Sequence, residues 1–324
     1  MGRSEQRQER KKFKKRKKNR WIKVLLSIIG LAFVAILGYT VSVYIQAKDT
    51  VNNDIHKQVD SIDTSQTKSK LRDNDKINVL LLGIDERKDD GGRSDALMVL
   101  SMDPKDESLE IISIPRDTRT EIIGKGTLDK INHAYAFGGT DMSIATVENL
   151  LDIELDYYVH MNMQGLVDMV DAVGGVTVQN ELEWVDKKGF YKKGYEFEKG
   201  PLELSGSKAL GYVRMRYQDP EGDFGRTKRQ RKLINAVIDK GFSIGSVGRI
   251  DDMLNVLGEN METNMDFEDM RNVLLNYRST INNVTSYQLK GNNEYIDDIY
   301  YLQVPQEEIN KVHNMLTGDN DTVQ

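Results

Sequence analysis

Residues 77–84 read Ile-Asn-Val-Leu-Leu-Leu-Gly-Ile, and this short apolar run decides the fold. A run of this length with a glycine near its end is typical of a strand that is buried on both faces of a sheet. Residues 96–102 and 109–114 predict two more strands, which are joined by a turn at residues 103–106. Together the three segments predict the centre of a β-sheet.

Helical and strand patterns alternate on both sides of these strands. Residues 140–151 predict a helix with Thr140 as its N-cap, because Ile144, Val147 and Leu150 fall on one side. The alternation predicts an α/β fold over residues 76–320, as a three-layer α-β-α domain with a mixed central sheet. The other predicted segments are strands at 157–163, 176–178, 284–290 and 294–304, a hairpin at 184–204, and helices at 165–173, 205–212, 226–240, 247–258 and 266–281.

The N-terminus predicts a membrane anchor. Residues 1–23 carry 12 Lys/Arg and two Glu, and residues 24–45 carry no charge at all. About 20 apolar helical residues span a bilayer, and the basic side stays in the cytoplasm. We therefore predict a basic cytoplasmic arm (1–23), one transmembrane helix (24–45), a polar stalk (46–75) and an extracellular domain, which is a single-pass type II protein of the cell membrane. A cleaved signal peptide is the alternative, but its apolar region is shorter and ends in small residues.

Composition excludes several classes of function. Beyond residue 23 the chain has 33 Lys/Arg against 49 Asp/Glu, which argues against a nucleic-acid partner held across a broad surface. The absence of cysteine removes disulfide and thiolate chemistry. The four histidines are scattered and form no catalytic triad or zinc signature, so we expect His133 to make a structural hydrogen bond. Any anionic ligand must therefore be bound by a local cluster of cations.

Residues 212–232 supply such a cluster, with five arginines and two lysines in 21 residues. Guanidinium groups present planar forks of donors that match phosphate oxygens, and they keep their charge. Arg226, Arg229 and Gln230 have the spacing that places side chains on one face of a helix. The segment predicts a site for a multiply charged phosphate, whereas a solvated basic face is the alternative for most runs of charge.

Carboxylates lie at the ends of the predicted strands. Asp85 follows the first strand, Asp95 precedes the second, and Arg116 and Asp117 follow the third. Ligands of α/β proteins bind at strand ends, so we expect these loops to meet in one crevice. Asp85 and Asp95 are candidates to share Mg²⁺ (or Mn²⁺), which binds a few carboxylates together with phosphate oxygens and water. For Asp85 alone, a surface turn or a structural ion pair remains open.

Six blocks of sequence resemble the signature blocks of the LytR-CpsA-Psr family and occur in that family's order. The resemblance covers about residues 77–240, behind the basic arm and single anchor that are usual in the family. Within the family the chain is most similar to the teichoic acid transferases of Gram-positive bacteria. The blocks are residues 78–85, 93–95, 113–118, 130–139, 170–176 and 212–226.

The resemblance implies a membrane-anchored phosphotransferase. Members move an anionic glycopolymer, such as a teichoic acid, from its undecaprenyl pyrophosphate carrier to the 6-hydroxyl of N-acetylmuramic acid in peptidoglycan, during cell wall biogenesis. The lipid tail would lie in an apolar tunnel between sheet and helices. Asp85 and Asp95 would hold the metal ion and, with Arg116 and Arg226, form the catalytic set. The residues that would bind the pyrophosphate are Arg116, Arg214, Arg216, Arg226 and Gln230.

Several assignments remain open at this point. The general base is Asp85, Asp95 or Asp223, and a hydrolase of the same pyrophosphate or a non-catalytic membrane-anchored envelope regulator remains an alternative function. We expect the aromatic segment between Trp184 and residue 197 to pack rather than to bind sugar. The arginines for which a phosphate contact and an ion pair are equally consistent with the sequence are Arg87, Arg93, Arg119 and Arg229.

Overall fold

The computed structural model describes residues 38–39, 41–85, 92–241 and 260–318. The chain divides into two compact units, Met1–Asp49 and Thr50–Gln324. In the first unit, residues 38–39 and 41–49 are helical. Among the described residues, no helix combines the length and the apolar character that crossing a membrane requires. The predicted arm and most of the predicted anchor lie outside the described residues.

A six-stranded mixed sheet forms the centre of the second unit, as predicted. The strands run in the order β11-β6-β1-β2-β3-β12, with β1–β6 and β3–β12 parallel and the other neighbours antiparallel. The strands are β1 (Ile77–Ile84), β2 (Ser94–Asp103), β3 (Ser108–Ile114), β4 (Arg119–Ile122), β5 (Thr127–Lys130), β6 (Tyr157–Asn162), β7 (Val176–Asn180), β8 (Trp184–Val185), β9 (Glu196–Phe197), β10 (Gly200–Leu204), β11 (Met261–Thr263), β12 (Asn283–Gln288), β13 (Asn292–Ile296) and β14 (Ile299–Gln303).

Helices cover both faces of this sheet, which confirms the α-β-α layering. Alternate residues of β1 point to opposite faces. Leu80 and Leu82 pack with helices α2 and α7, whereas Ile77 and Val79 pack with α1, α5 and α6. The helices are α1 (Thr64–Asp73), α2 (His133–Leu151), α3 (Met163–Ala172), α4 (Gly206–Arg214), α5 (Asp223–Gly241), α6 (Phe267–Asn276) and α7 (Gln306–Thr317).

A smaller core lies under α3 and α4, where β7 pairs with β10. Trp184 and Phe197 stack there with ring centroids 4.5 Å apart and planes 10° apart. Tyr191 and Tyr195 pack against the same cluster. The expectation that this aromatic segment packs is confirmed for these four residues.

The predicted stalk is corrected, because residues 50–75 belong to the folded unit. Ile55, Ile62 and Leu71 are buried. Helix α1 begins after Asp63, whose carboxylate accepts hydrogen bonds from the backbone N–H groups of Ser65 and Gln66. The segment looks like a linker in the sequence because its few apolar residues are widely spaced among polar ones.

Three other elements also differ from the sequence prediction. The strand predicted at 294–304 is the hairpin β13–β14, because Asp297 and Asp298 adopt φ of +50° and +62° and form a two-residue turn. The predicted helix at 266–281 stops at Asn276 and is followed by a 3₁₀ turn, Arg278–Asn282. Helix α2 contains an additional short segment from His133, but its backbone is non-helical at Gly138 and Gly139, so the segment with Ile144, Val147 and Leu150 begins directly after Gly139, close to the predicted start at Thr140. The helix predicted at 247–258 lies outside the described residues.

Candidate active site

The strand ends meet at one edge of the sheet, as the sequence predicts. Because β2 runs antiparallel to both β1 and β3, its first residues lie beside the last residues of its neighbours. Ile84 pairs with Ser94, and Leu97 pairs with Ile114. Asp85, Asp95 and the segment after β3 therefore converge.

A polar cavity of about 280 Å³ lies at this edge. Asp85, Asp95, Arg116 and Asp117 line it, together with Lys130 on β5. The Lys130 ammonium donates to Asp117 Oδ1 at 2.7 Å. Lys130 is not among the site residues predicted from the sequence, although it begins one of the family-like blocks. The cavity thus combines carboxylates and cations within one small volume.

Arg116 connects the two sides of this cavity. Its Nη1 donates to Asp95 Oδ1 at 2.6 Å, and its Nε lies 3.8 Å from Asp223 Oδ2. Burial lowers the pKa of Arg116, but Asp95 and Asp223 outweigh burial and raise the pKa above its ordinary value. The guanidinium is therefore firmly charged at the centre of the site.

Asp223 gathers three arginines at the first turn of α5. Its Oδ1 lies 2.8 Å from Arg226 Nη2 and 3.5 Å from Arg216 Nε, while Arg116 approaches the other carboxylate oxygen. Three like charges repel one another, and a shared carboxylate offsets that repulsion. Two of these arginines come from the segment 212–232 and one from the loop after β3. The predicted convergence of these distant arginines is confirmed in the geometry.

Arg226 is the most deeply placed member of the cluster, with 9% of its surface exposed. Its Nε and Nη2 atoms are buried and make no hydrogen bond to any described residue, although Asp223 lies nearby. Burial lowers the pKa of Arg226; the Asp223 carboxylate opposes this effect, and neighbouring Arg116 adds to it. Gln230, one turn further along α5, also has a buried Oε1 without a hydrogen bond. Buried polar atoms without hydrogen bonds are rare in folded proteins, and the open donors of Arg226 indicate a place for an anionic ligand.

Arg214 and Arg216 lie where α4 ends and reach the site from the opposite side. Arg214 Nη2 is 3.8 Å from Asp85 Oδ2, and its guanidinium lies 4.9 Å from the ring centre of Phe190. About a third of the Arg214 side chain remains exposed, at 35%. These two arginines are thus placed to contact a ligand that enters from solvent.

Arg229 makes structural contacts instead of lining the site. Its guanidinium donates to the carbonyls of Tyr212 and Met215 and forms a buried ion pair with Asp219. These contacts connect α5 to the end of α4, where Arg214 lies, and to the following loop, which carries Arg216. For Arg229 the ion-pair alternative therefore holds.

The other second-tier arginines differ in position. Arg93 lines the cavity, and the backbone N–H of Asp85 donates to its carbonyl at 3.2 Å. Arg119 lies 5.9 Å from the ring centre of Tyr301, outside the cavity lining. Arg87 is not among the described residues. His133 Nδ1 lies 2.9 Å from Asp129 Oδ2, so the expected hydrogen bond is present, and the residue also lines the cavity.

The donor set at this edge fits a hard divalent cation. Asp85 and Asp95 line one cavity, and Mg²⁺ needs only one or two carboxylates when phosphate oxygens and water complete its octahedron. Within the described ranges, no three Asp, Glu, His or Cys side chains group into a complete metal site. A cation here would therefore depend on oxygens from the ligand.

Fold and site together define an α/β protein with a polar, arginine-lined cavity at the edge of its central sheet. The sequence profile of the LytR_cpsA_psr family matches residues 39–318. The chain belongs to the LytR_cpsA_psr family.

Curated relatives match nearly the whole chain. The polyisoprenyl-teichoic acid–peptidoglycan teichoic acid transferase TagU of Halalkalibacterium halodurans is 44% identical over 294 residues, which cover 89% of this chain and 94% of the relative. The protein of the same name from Bacillus subtilis is 40% identical over 299 residues, covering 92% and 95%. The similarity therefore extends well beyond the short blocks.

Solved structures share the fold. The crystal structure of Bacillus subtilis TagU is 39% identical, with a TM-score of 0.60 over 77% of this chain and 99% of that chain. A structure of TagT bound to LIIa-WTA is 33% identical, with a TM-score of 0.67 over 76% and 91%. A protein from Enterococcus faecalis described as a transcriptional regulator is 37% identical, with a TM-score of 0.68 over 76% and 88%.

Proposed function

We propose that this chain transfers an anionic glycopolymer of the teichoic acid class from a polyprenyl pyrophosphate carrier to the N-acetylmuramic acid 6-hydroxyl of peptidoglycan. Identity of 44% over 294 residues to a named teichoic acid transferase makes the chain a transferase of cell wall biogenesis. The observation that carries the proposed chemistry is the group of Arg116, Arg216 and Arg226 around Asp223. Its open donors suit a diphosphate.

The arginines bind the pyrophosphate and stabilise the transition state. Arg226 and Gln230 bind it from the α5 side, Arg116 from the sheet side, and Arg214 and Arg216 from the α4 side. Charge develops on the non-bridging and leaving oxygens as phosphorus is attacked, and fixed cations stabilise that charge without reorganisation. The acceptor oxygen forms a bond to the sugar-linked phosphorus, the bond to the bridging oxygen breaks, and the lipid phosphate leaves.

Asp85 and Asp95 are the residues that would hold Mg²⁺ or Mn²⁺ beside the diphosphate. The ion would neutralise charge on the phosphate oxygens. Asp95 also bonds to Arg116, so it fixes the guanidinium as well. Asp223 contacts three arginines and is a positioning residue for them, which leaves Asp85, Asp95 and the cavity-lining Asp117 to accept the hydroxyl proton.

The lipid tail is assigned to the apolar face between the sheet and helices α5 and α6. Ile234 and Ile238 of α5 and Met270 and Val273 of α6 are only partly buried against the core on that face. Arg226 and Gln230 lie on the preceding turns of α5, so a tail on this face continues from the pyrophosphate site.

The membrane anchor is part of the proposal. A chain with 22 uncharged residues after a basic arm remains in the membrane with its phosphate site outside the cell. After alkaline extraction of membranes, the full-length chain is expected to sediment with the lipid. Release of the protein into the supernatant would contradict the anchor.

The transfer reaction is tested with the full-length chain, a lipid-linked polymer precursor and peptidoglycan. The expected product is polymer bound to peptidoglycan by a phosphodiester, and formation should stop when EDTA removes divalent cations. Free polymer phosphate without attachment would favour the hydrolase. A regulator without catalytic activity would produce neither product, and Arg226→Ala or Asp95→Ala would then leave polymer attachment in cells unchanged.

A further inference from the structure

The hairpin β13–β14 carries aromatic side chains that the phosphate chemistry does not use. Tyr295 is 71% exposed, and it pairs across the strands with Tyr300. The two rings meet edge to face with centroids 5.6 Å apart. The Tyr300 hydroxyl donates to Asn293 Oδ1 at 2.9 Å, which fixes its ring beneath the exposed one. A pair of adjacent aromatic rings, one of them largely exposed, offers a flat apolar surface on which a ligand ring can stack.

The hairpin is held in place beside the phosphate site. The backbone N–H of Leu302 on β14 donates to the carbonyl of Asp117 at 2.9 Å. Leu302 and Thr118 also form an isolated parallel β-bridge. Lys130 Nζ, which donates to Asp117, lies 5.8 Å from the ring centre of Tyr300. Burial raises the pKa of Tyr300, and the nearby carboxylates of Asp117 and Asp223 raise it further. The aromatic surface is therefore continuous with the carboxylate side of the active site.

The charge of the hairpin selects between ligands. Residues 292–303 contain Glu294, Asp297 and Asp298 and no Lys or Arg. Two cations from other elements approach the hairpin, Lys130 at 5.8 Å from the ring centre of Tyr300 and Arg119 at 5.9 Å from that of Tyr301. The acidic excess therefore belongs to the hairpin residues themselves, which disfavour a polyanionic polymer but not a neutral sugar ring. The flat apolar face of a pyranose stacks on an aromatic ring, and the neighbouring polar groups bind its hydroxyls. The acceptor hydroxyl must also approach phosphorus from the carboxylate side, where its proton is accepted.

We propose that Tyr295 and Tyr300 form a stacking platform for the neutral glycan strand of the acceptor, next to the arginine site that binds the donor. This inference rests on the proposed transfer to peptidoglycan. The platform places a sugar hydroxyl near Asp117 and the bound phosphorus. Tyr295 is a specificity residue that contacts the acceptor and not the diphosphate.

The test compares three variants of the full-length chain: Tyr295→Ala, Tyr295→Phe, which keeps the ring, and Ile299→Ala. Ile299 is 49% exposed on the same hairpin, so this control removes an apolar side chain but no ring. Transfer rates are measured against a series of concentrations of a soluble peptidoglycan tetrasaccharide whose lactyl carboxyl groups are amidated, so that the acceptor is neutral, and separately against the lipid-linked donor.

In Tyr295→Ala the KM for the tetrasaccharide is expected to rise about tenfold or more, the amount that one stacked ring contributes, with an unchanged KM for the donor. Tyr295→Phe and Ile299→Ala should match the wild type. An acceptor KM within about twofold of wild type in Tyr295→Ala would overturn the platform, as would an equal rise in the donor KM.

Absence of any transfer by the wild type contradicts the proposed function instead. Direct binding of the tetrasaccharide then decides: loss of binding in Tyr295→Ala supports the platform, and equal or absent binding in wild type and variant overturns it.

Discussion

Arg226 and Arg229 lie three residues apart on α5, yet their guanidinium groups have different surroundings. Arg226 has buried donors without hydrogen bonds to described residues. Arg229 is saturated by two carbonyls and by Asp219. The surroundings of Arg226 suit the binding of an anion, whereas those of Arg229 suit a structural contact between α5 and the preceding loop. The two residues therefore make opposite predictions for activity and stability.

Replacement of Arg226 by alanine is expected to lower the transfer rate about 10²–10³-fold, because one donor to the developing phosphate charge is lost. The free energy of unfolding should change little, because Arg116 and Arg216 still neutralise the Asp223 carboxylate while the repulsion among the three arginines falls. Rate assays and denaturant unfolding measure the two effects. Lys240→Ala, which removes an exposed cation near the end of the same helix, is the control and should retain activity. A large loss of stability in Arg226→Ala would make the residue structural.

Replacement of Arg229 by alanine is expected to reduce the free energy of unfolding by about 3–5 kcal/mol, because a buried carboxylate loses its partner. Only 6% of the Asp219 side chain is exposed. Denaturant unfolding of the single variants and of the double variant Asp219→Asn/Arg229→Gln measures the coupling. Full stability in Arg229→Ala would contradict the structural assignment.

The sequence could not separate these two arginines. Both fall on one predicted helix face, and the partner that distinguishes Arg229 is Asp219, ten residues away in a turn. Gly225 is part of the same arrangement, because a Cβ at that position would overlap the Asp219 carboxylate. Only the fold of residues 215–223 brings these groups together.

At the scale of elements, Glu181 ties the end of β7 to helix α5. Its carboxylate oxygens form ion pairs with Lys228 Nζ at 2.5 Å and with Lys232 Nζ at 2.7 Å. Hydrogen bonds from Lys228 and Lys232 lower the pKa of Glu181 from 4.5 to about 2. This contact helps to hold α5, and with it Arg226, on the smaller core.

The pKa of Glu181 predicts a pH dependence of stability. A depressed carboxylate pKa contributes stability that is fully present above the unfolded value of 4.5 and is lost as the pH falls through about 2. Because the side chain is 57% exposed, the contribution should not exceed about 1 kcal/mol. Unfolding of wild type and Glu181→Gln between about pH 6 and about pH 2.5 should show a difference that shrinks on acidification. A constant difference would contradict the ion-pair account.

Elements that follow a strict periodicity could be predicted from the sequence. The strands β1, β2 and β3 were predicted within one to two residues, because their apolar runs are continuous. The sequence predicted one long strand instead of the hairpin β13–β14, because Asp297-Asp298 lacks the glycine that usually marks such a turn. Helix α1 was missed because a polar surface helix with one buried leucine resembles a linker.

At the scale of the whole molecule, charge is distributed unevenly. The chain beyond residue 23 has an excess of acidic residues, yet four arginines meet at one edge of the sheet. An acidic surface repels polyanions in general, so under the proposed function the diphosphate is attracted only by this local cationic site. The convergence itself could be predicted because the charged segments flank the predicted strands, and the structure supplies the antiparallel order of β1, β2 and β3 that brings those strand ends together. The role of Asp223 as a shared counter-ion could not, since a helix N-terminus explains an aspartate equally well.

The central claim is that Arg116, Arg214, Arg216 and Arg226 surround one diphosphate beside a cation held by Asp85 and Asp95. The most direct test is a crystal structure of the protein with a short polyprenyl pyrophosphate and Mn²⁺. We expect diphosphate density within hydrogen-bond distance of Arg116 and Arg226, and an anomalous manganese peak between the two aspartates. A diphosphate bound elsewhere, with Arg116 still paired to Asp95 and Arg226 still paired to Asp223, would contradict the account.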